Sequence, residues 1–214
     1  MKSLTDYEEL LDYRRTVAEM YARVRSEERD FAGRCGRFRD ERNVLFAGHP
    51  QSPLPAEDKS GFDGLEYFDY DPALRHVLPV EHDVEPDTLE IELQDDGLLR
   101  LRRFGRVRPS GELEGSSLSL FWIEGYGGGV FLPFKDETSG RGTYGGGRYL
   151  LDTIKHADLG QKDGCLVLDF NYAYNPSCAY NPDWVCPLSP PENTLPGEIR
   201  AGEKAYEQPP LERR

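Results

Sequence analysis

Residues 169–193 read DFNYAYNPSCAYNPDWVCPLSPPEN, and the rest of the chain is organised around this stretch. Two Asn-Pro pairs and three later prolines disfavour regular helix and strand, because the residue before a proline is pushed toward extended or turn geometry. A loop of this length inside a compact domain is usually functional or disordered. Its aromatic rings need apolar cover, which argues against disorder. We therefore predict an ordered loop, called here the aromatic loop, packed across a scaffold.

The scaffold is predicted to consist of antiparallel strands. Leu89, Ile91 and Leu93 alternate with polar residues, as a strand with one buried face requires. The sequence Asp-Asp-Gly at 95–97 lies between two such runs and indicates a hairpin turn. Closely spaced strands with short turns predict antiparallel pairing in an open barrel or a sandwich. The predicted strands are 76–82, 87–94, 98–107, 116–123, 129–135, 147–154 and 164–171.

The N-terminal region is predicted to be helical. Apolar residues recur at helical spacing through residues 4–31. Gly33 and Gly36 are predicted to break this helix, and a second helix is expected over residues 38–47. The predicted fold class is therefore α+β, mainly β: an antiparallel β-barrel or sandwich with N-terminal helices packed against it. The predicted organisation is a helical segment (1–48), a β-rich domain (49–206) and a flexible tail (207–214).

The composition limits the classes of partner. The 214-residue chain has a formal net charge of −13, and an acidic surface repels nucleic acid and anionic membranes, so neither is a predicted partner. The N-terminus lacks an apolar signal core, and no apolar run approaches membrane-spanning length. We therefore expect a cytoplasmic protein with reduced thiols. Nothing in the sequence indicates a cofactor or an oligomeric state.

Five long motifs of the chain are distinctive. They are HPQSPLPAEDKSGFDGLEYFDYDP (49–72), FLPFKDETSG (131–140), GRGTYGGGRYL (140–150), FNYAYNPSCAYNPDWVCPLSPPEN (170–193) and IRAGEKAY (199–206). Together they resemble the family of domain of unknown function 1684 (DUF1684), a bacterial and archaeal group. The similarity runs from about residue 38 to residue 206, and it implies a β-rich domain but no particular activity. At Gly142 and Tyr172 the chain departs from the pattern that the resemblance implies, which has an acidic residue and an arginine there.

The glycine-rich motif at 140–150 does not have the features of a phosphate-binding loop. It has no Gly-Lys-Ser/Thr sequence, and no helical pattern follows it, so we interpret it as a tight turn entering a strand. Arg148 in that strand is expected either to clamp a carboxylate or phosphate or to form a structural ion pair. We predict that 147–154 and 164–171 form a hairpin, and that Arg148 and Asp169 pair beneath the aromatic loop.

The two cysteines of the aromatic loop, Cys178 and Cys186, allow several interpretations. Their spacing, without a second close pair or adjacent histidines, is unusual for zinc. A disulfide is disfavoured in the cytoplasm, and a nucleophilic cysteine would need a base brought close by folding. We expect two reduced, zinc-free thiols that act as small apolar groups.

Ten residues are candidates for ligand binding, because they combine polar groups with a position in or beside the aromatic loop. Three functions remain open: small-molecule binding in a pocket under the loop, hydrolysis using Cys178 or the Asp169 and Glu192 carboxylates, and protein interaction through the displayed loop. Binding is favoured because no nucleophile, base and oxyanion hole can be assembled from the sequence. The candidates are Tyr144, Arg148, Asp169, Asn171, Tyr174, Asn175, Cys178, Tyr180, Glu192 and Asn193; no metal ligand is predicted.

Overall fold

Two α-helices precede eight β-strands in the computed structural model, which describes residues 3–27, 29–93 and 97–207. Each predicted strand overlaps an observed one, the short strand at 161–162 was not predicted, and the fold is α+β and mainly β, as predicted. The helices are α1 (Leu4–Ser26) and α2 (Phe31–Gly48). The strands are β1 (Arg75–Leu78), β2 (Thr88–Glu92), β3 (Leu98–Val107), β4 (Leu118–Ile123), β5 (Gly129–Phe134), β6 (Arg148–Asp152), β7 (Gln161–Lys162) and β8 (Cys165–Asp169).

The second helix begins seven residues earlier than predicted, and its two glycines do not break it. Asp30 adopts a left-handed conformation (φ 53°) and caps α2, since its carboxylate accepts a hydrogen bond from the Gly33 amide at 3.1 Å. A Cβ atom at residue 33 would collide with that carboxylate. Because Gly33 has no Cβ atom, the Asp30 carboxylate can approach its amide and cap the first turn of α2.

The strands form two antiparallel sheets. One has five strands in the order β2-β3-β4-β5-β6, and the other has three in the order β1-β8-β7. The β2–β3 hairpin that Asp-Asp-Gly predicted is present, with Glu92 opposite Leu98. Residues 94–96, which hold most of the predicted turn, lie outside the described residues.

The predicted hairpin between 147–154 and 164–171 is wrong. β6 pairs with β5, whereas β8 pairs with β1 and β7 in the other sheet. The reason is local: Asp163 (φ 51°) and Gly164 (φ 78°) form a two-residue turn that pairs β7 with β8. Because β1 occupies the other edge of β8, no edge is left for β6.

Side chains from both sheets share one hydrophobic cluster. Leu78 of β1 and Leu168 of β8 pack with Leu120 of β4 and Leu132 of β5. The prediction left a barrel and a sandwich open. Across the described residues the two sheets do not close into a barrel, so the sandwich is the architecture that fits.

The helices cover the other face of the three-stranded sheet. Val167, next to Leu168 on β8, belongs to a second cluster with Tyr21 and Val24 of α1 and Phe38 of α2. β8 is thus buried on both faces, which explains its continuous apolar sequence. Among the described residues, neither helix combines the length and apolarity that a membrane span requires.

The predicted boundary at residue 48 coincides with the end of α2 at Gly48. The division into a helical segment (1–48) and a β-rich domain (49–206) stays a prediction. The predicted tail (207–214) lies outside the described residues except for its first residue.

Candidate functional site

The aromatic loop is ordered and packed, as the sequence predicted. It leaves β8 through a short 3-10 helix, Phe170–Tyr172, and then pairs with the edge of the five-stranded sheet. The Tyr174 carbonyl accepts from the Tyr149 amide at 2.8 Å, and the Tyr174 amide donates back to the Tyr149 carbonyl at 3.1 Å. These bonds to β6 fix the position of the following residues, including Asn175.

A cleft of about 230 Å³ lies between the N-terminal helices and the aromatic loop. α1 forms one wall, α2 forms the base and the loop forms the opposite wall. Most of the lining is apolar or aromatic, with six rings. The lining residues are Leu10, Tyr13, Arg14, Val17, Tyr21, Arg42, Phe46, Gln51, Pro53, Lys155, Ala157, Tyr174, Asn175, Pro176, Ser177, Tyr180 and Trp184.

A buried polar network forms the base of this cleft around Glu203, which is only 1% exposed. Arg42 Nη2 donates to Glu203 Oε2 at 3.1 Å and to the Tyr180 hydroxyl at 3.1 Å. The Tyr180 hydroxyl donates in turn to Glu203, and so does Asn175 Nδ2 at 3.1 Å. The Glu203 carboxylate is therefore neutralised by one guanidinium and held by two further donors, as a buried charge requires.

Three buried polar atoms on the cleft lining have no hydrogen-bond partner within the described part of the chain. They are the Nε of Arg42, the hydroxyl of Tyr174 and the Oδ1 of Asn175. Asn175 is only 1% exposed. Buried polar groups in folded proteins are nearly always paired, so three unpaired atoms on one lining are a feature to explain.

The cleft is also cationic, although the chain as a whole is acidic. Its lining includes Arg14, Arg42 and Lys155, and no acidic residue of the described ranges lines it. Neither Arg14 nor Lys155 forms an ion pair with any described residue, whereas Arg42 is paired with the buried Glu203. Two positive charges at the cleft therefore lack a close ion-pair partner among the described residues.

The predicted pair between Arg148 and Asp169 is wrong. Arg148 is 1% exposed, and its Nη2 donates to Asp136 Oδ2 at 2.7 Å. The same guanidinium donates to the carbonyls of Ile199, at 2.9 Å, and Ala201. Because β6 and β8 belong to different sheets, Arg148 points to the C-terminal segment and ties it to the sheet.

The glycine-rich motif is a turn into β6, as predicted. Gly147 has φ 93°, a left-handed value that favours glycine. A Cβ atom there would lie 2.6 Å from the carbonyl oxygen of Phe134 on β5. The motif therefore delivers Arg148 to its buried position.

Asp169 and Asn171 hold the start of the aromatic loop. The Asp169 carboxylate accepts from Asn171 Nδ2 at 2.7 Å and from the Tyr70 hydroxyl at 3.3 Å. Asn171 also exchanges hydrogen bonds with the backbone of Asp71. Burial raises the pKa of Asp169, while its hydrogen bonds with Asn171 lower it. Neither residue lines the cleft.

The end of the loop is held in a similar way. Asn193 is fully buried and accepts from the Ser119 amide at 2.8 Å, while its Nδ2 donates to the carbonyls of Ser119 and Pro133. Glu192 pairs with Arg103 at 3.1 Å on the surface. These two candidates therefore anchor the loop to the five-stranded sheet.

The remaining candidates, Tyr144 and Cys178, contact each other, with the hydroxyl 3.4 Å from the sulfur. The Cys178 amide N–H lies 3.4 Å from the sulfur of Cys186, and both thiols are free. In the described part of the chain, no three His, Cys, Asp or Glu residues converge as metal ligands do. Of the ten predicted residues, only Tyr174, Asn175 and Tyr180 line the cleft.

A second depression, of about 360 Å³, is larger but has a less promising lining. Its Arg200 is paired with Glu198 at 2.6 Å, and its Asp71 carboxylate accepts from the Ala73 amide at 2.8 Å. No unpartnered buried polar side-chain atom lines it among the described residues. We therefore place the candidate site in the cleft beside the aromatic loop.

Sequence reasoning missed the contribution of the helices and of Glu203. Tyr13, Val17 and Tyr21 recur every four residues, so the sequence indicates that they share one face of a helix. It does not indicate which part of the protein that face contacts. No sequence pattern around Arg42 distinguishes it from the other arginines of its helix. Glu203 lies within the motif IRAGEKAY, and that motif was the signal that could have identified it.

The fold and site define an α+β protein with two antiparallel sheets and an aromatic, cationic cleft that is lined in part by the two N-terminal helices. The chain belongs to the family described as "Protein of unknown function (DUF1684)", whose model matches residues 60–204. This confirms the resemblance seen in the sequence.

Among solved structures, the chain is similar to the solution NMR structure of an uncharacterised protein from Haloarcula marismortui. The two sequences are 34% identical, and the TM-score is 0.56. The match covers 85% of this chain and 95% of the other. No protein in the curated set matches the chain significantly.

Proposed function

We propose that the protein binds a small anionic molecule with a planar body in the cleft between α1 and the aromatic loop, in the cytoplasm. One observation carries the proposal: Arg42 and Asn175, two residues of the cleft lining, each hold a buried polar atom, Nε and Oδ1, that has no hydrogen-bond partner in the described part of the chain. A donor and an acceptor left unpaired inside a protein are costly, roughly 1–3 kcal/mol each. A ligand with an acceptor and a donor of its own would remove that cost.

The charge of the lining supports an anionic ligand. Arg14 and Lys155 bring positive charge that no described acidic residue neutralises. In a chain of net charge −13, such a local excess attracts an anion that the rest of the surface repels. A carboxylate or phosphate group bound at these two residues would neutralise their positive charge.

The size and the rings of the cleft define the rest of the ligand. A volume of about 230 Å³ is below the roughly 300–1,000 Å³ typical of sites for drug-sized molecules, so the ligand is a small metabolite. Tyr13, Tyr174 and Trp184 offer faces and edges on which a flat ring can pack. The proposed ligand therefore combines one ring, one anionic group and one hydrogen-bond donor.

Anthranilate is a suitable probe because it carries a carboxylate, an amine donor and a single ring. Its neutral amide, anthranilamide, is the matched control for charge, and benzoate is the control for the donor. We expect a two-dimensional amide NMR titration with anthranilate to shift the resonances of Tyr174, Asn175 and the Trp184 indole. We expect about tenfold weaker binding of anthranilamide, equivalent to ~1.4 kcal/mol.

The variants Arg14→Ala and Lys155→Ala should remove the preference for anthranilate over anthranilamide. Lys162→Ala is the matched control, because Lys162 is an exposed lysine on β7 outside the cleft. Asn175→Ala should remove the preference for anthranilate over benzoate. Equal binding of all three probes, or shifts confined to residues outside the cleft, would overturn the proposal.

The two other functions have less support. Asp169 and Glu192 bind different partners and do not form a carboxylate pair. Within the described ranges no histidine hydrogen-bonds Cys178 or Cys186, so a thiol hydrolase lacks its base. Of the loop's large apolar residues, Trp184 and Leu188 are exposed, whereas Tyr172 and Tyr180 are buried, which leaves little surface for a protein partner.

A further inference from the structure

Folding brings the two cysteines of the aromatic loop together. Cys178 lies in a short 3-10 helix, Ser177–Ala179, and Cys186 lies just before Pro187. The Cys178 amide donates a hydrogen bond to the Cys186 sulfur at 3.4 Å. Both cysteines are free and partly exposed. This geometry distinguishes them from Cys35, which is fully buried.

The two thiols are also different from each other. The Cys186 sulfur accepts a hydrogen bond from the Cys178 amide at 3.4 Å. The Cys178 thiol, the Cys178 amide and the charge of Lys155 lower the pKa of Cys186 to about 6, although burial raises it. The pKa of Cys178 is raised, first by the neighbouring Cys186 and then by burial. Cys186 is therefore the more acidic of the two thiols.

We propose that Cys186 and Cys178 form a peroxide-oxidised thiol pair, with Cys186 as the attacking thiolate and Cys178 as the resolving thiol. The oxidant is hydrogen peroxide or an organic hydroperoxide. The proposal is independent of ligand binding in the cleft, since it rests on the contact between the two cysteines.

The chemistry balances in two steps. The Cys186 thiolate attacks one peroxide oxygen; the S–O bond forms, the O–O bond breaks, and the departing hydroxide takes up a proton to become water. Sulfur has then lost two electrons and stands as a sulfenic acid. The Cys178 sulfur attacks the sulfenic sulfur; the S–S bond forms, the S–O bond breaks, and the hydroxide leaves as water with the Cys178 proton. An external dithiol restores both thiols by exchange.

The disulfide would close a short loop around the wall of the cleft. The segment between the two cysteines carries Tyr180 and Trp184, which both line the cleft. A disulfide has a bond of about 2.05 Å with a fixed dihedral geometry, so forming it would restrain the segment between the two cysteines. Oxidation should therefore change the environment of Trp184.

The test treats the full-length protein with one equivalent of hydrogen peroxide and maps its cysteines by mass spectrometry. We expect a Cys178–Cys186 disulfide as the first product, reversed by dithiothreitol. In Cys178→Ser, a 1,3-dione probe should trap a sulfenic acid on Cys186. In Cys186→Ser, neither product should form. Cys165→Ser is the matched control, because Cys165 is partly exposed but lies on β8, and it should oxidise like the wild type.

A second measurement checks the assignment of the thiolate. The rate of iodoacetamide alkylation of Cys186, followed by peptide mapping in the wild type, should be half-maximal near pH 6, against about 8.5 for an ordinary thiol. The proposal would be overturned by equal peroxide oxidation of Cys165 and Cys186, by sulfenic acid on Cys178 in Cys186→Ser, or by a half-maximal alkylation rate near 8.5.

Discussion

Arg148 and Arg42 are both arginines with a carboxylate partner in the interior, yet their surroundings differ. The Arg148 guanidinium contacts only the protein: Asp136 and backbone carbonyls of the C-terminal segment. Arg42 binds Glu203 and Tyr180, but its Nε has no partner among the described residues and it lines an open cleft. The contacts of Arg148 are all internal, as those of a structural ion pair are, whereas the unpaired atom of Arg42 is the basis of the proposed binding site.

The pKa shifts of the two arginines follow the same difference. Burial lowers the pKa of Arg148, and Asp136 partly offsets that effect. Burial also opposes the charge of Arg42, but Tyr180 and Glu203 raise its pKa well above the ordinary value. Arg42 therefore stays charged inside the protein, and its charge balances that of the buried Glu203 carboxylate.

The largest expected effect is the loss of the Arg148 ion pair. Arg148→Met leaves the Asp136 carboxylate buried without its counter-charge, and breaking such a pair costs about 3–5 kcal/mol. Urea unfolding should measure this loss in the free energy of unfolding. The control is Arg102→Met, which removes an exposed pair with Glu124 and should cost less than about 1 kcal/mol. Similar losses of unfolding free energy in both variants would mean that the buried Arg148 ion pair stabilises the protein no more than an exposed one.

The next effect concerns the Glu203 network under the cleft. Tyr180→Phe keeps the ring but removes a hydroxyl that donates to a buried carboxylate, so we expect a loss of about 1.5–3 kcal/mol. Tyr206→Phe removes a hydroxyl that contacts the Asp58 carboxylate at 3.3 Å and is the matched control. Thermal and urea unfolding compare the two. If Tyr206→Phe proved the more damaging change, Glu203 would not be held through Tyr180.

A buried ionisable group without any partner should behave differently from both arginines. His76 is 6% exposed, its Nε2 is unpartnered among the described residues, and burial lowers its pKa from 6.5. Between the folded pKa and 6.5 the unfolded chain binds more protons, so stability is lost as pH falls through 6.5 toward the folded pKa. We expect His76→Gln to lose less stability than the wild type on acidification.

The measurement is the free energy of unfolding at about pH 7.5 and about pH 5.5, which lie on either side of the unfolded pKa, and the wild type should lose more of it than His76→Gln. Parallel curves for the two proteins would show that His76 takes up its proton equally in the folded and unfolded states.

The smallest effect on stability is expected at the cleft lining. Arg14→Ala and Lys155→Ala should each change the free energy of unfolding by less than about 0.5 kcal/mol, because neither residue has an ion-pair partner among the described residues. Their effect should appear in the binding of an anion and, for Lys155→Ala, also in a higher pKa of Cys186. A stability loss above about 1 kcal/mol would place either residue with Arg148, as a structural charge, rather than with the site.

The aromatic loop shows which structural features could be predicted from local sequence and which could not. Its prolines predicted an irregular path and its rings predicted burial, and both hold for Tyr172 and Tyr180. Three of its candidate residues line the cleft, namely Tyr174, Asn175 and Tyr180. The other candidates hold the loop in place, and sequence could not separate these roles, because an amide or carboxylate looks the same whether its partner is the backbone or a ligand.

The sequence by itself determined the strands, the turns and the family, because alternation, glycine and proline act over a few residues. Only the tertiary structure decided which strand neighbours which, and therefore that Arg148 meets Asp136 and not Asp169. It also decided that α1, α2 and the aromatic loop enclose one cleft, with Arg42 and Glu203 joined at its base. Such contacts join residues up to 161 positions apart, and no local pattern encodes the partner of a side chain at that distance.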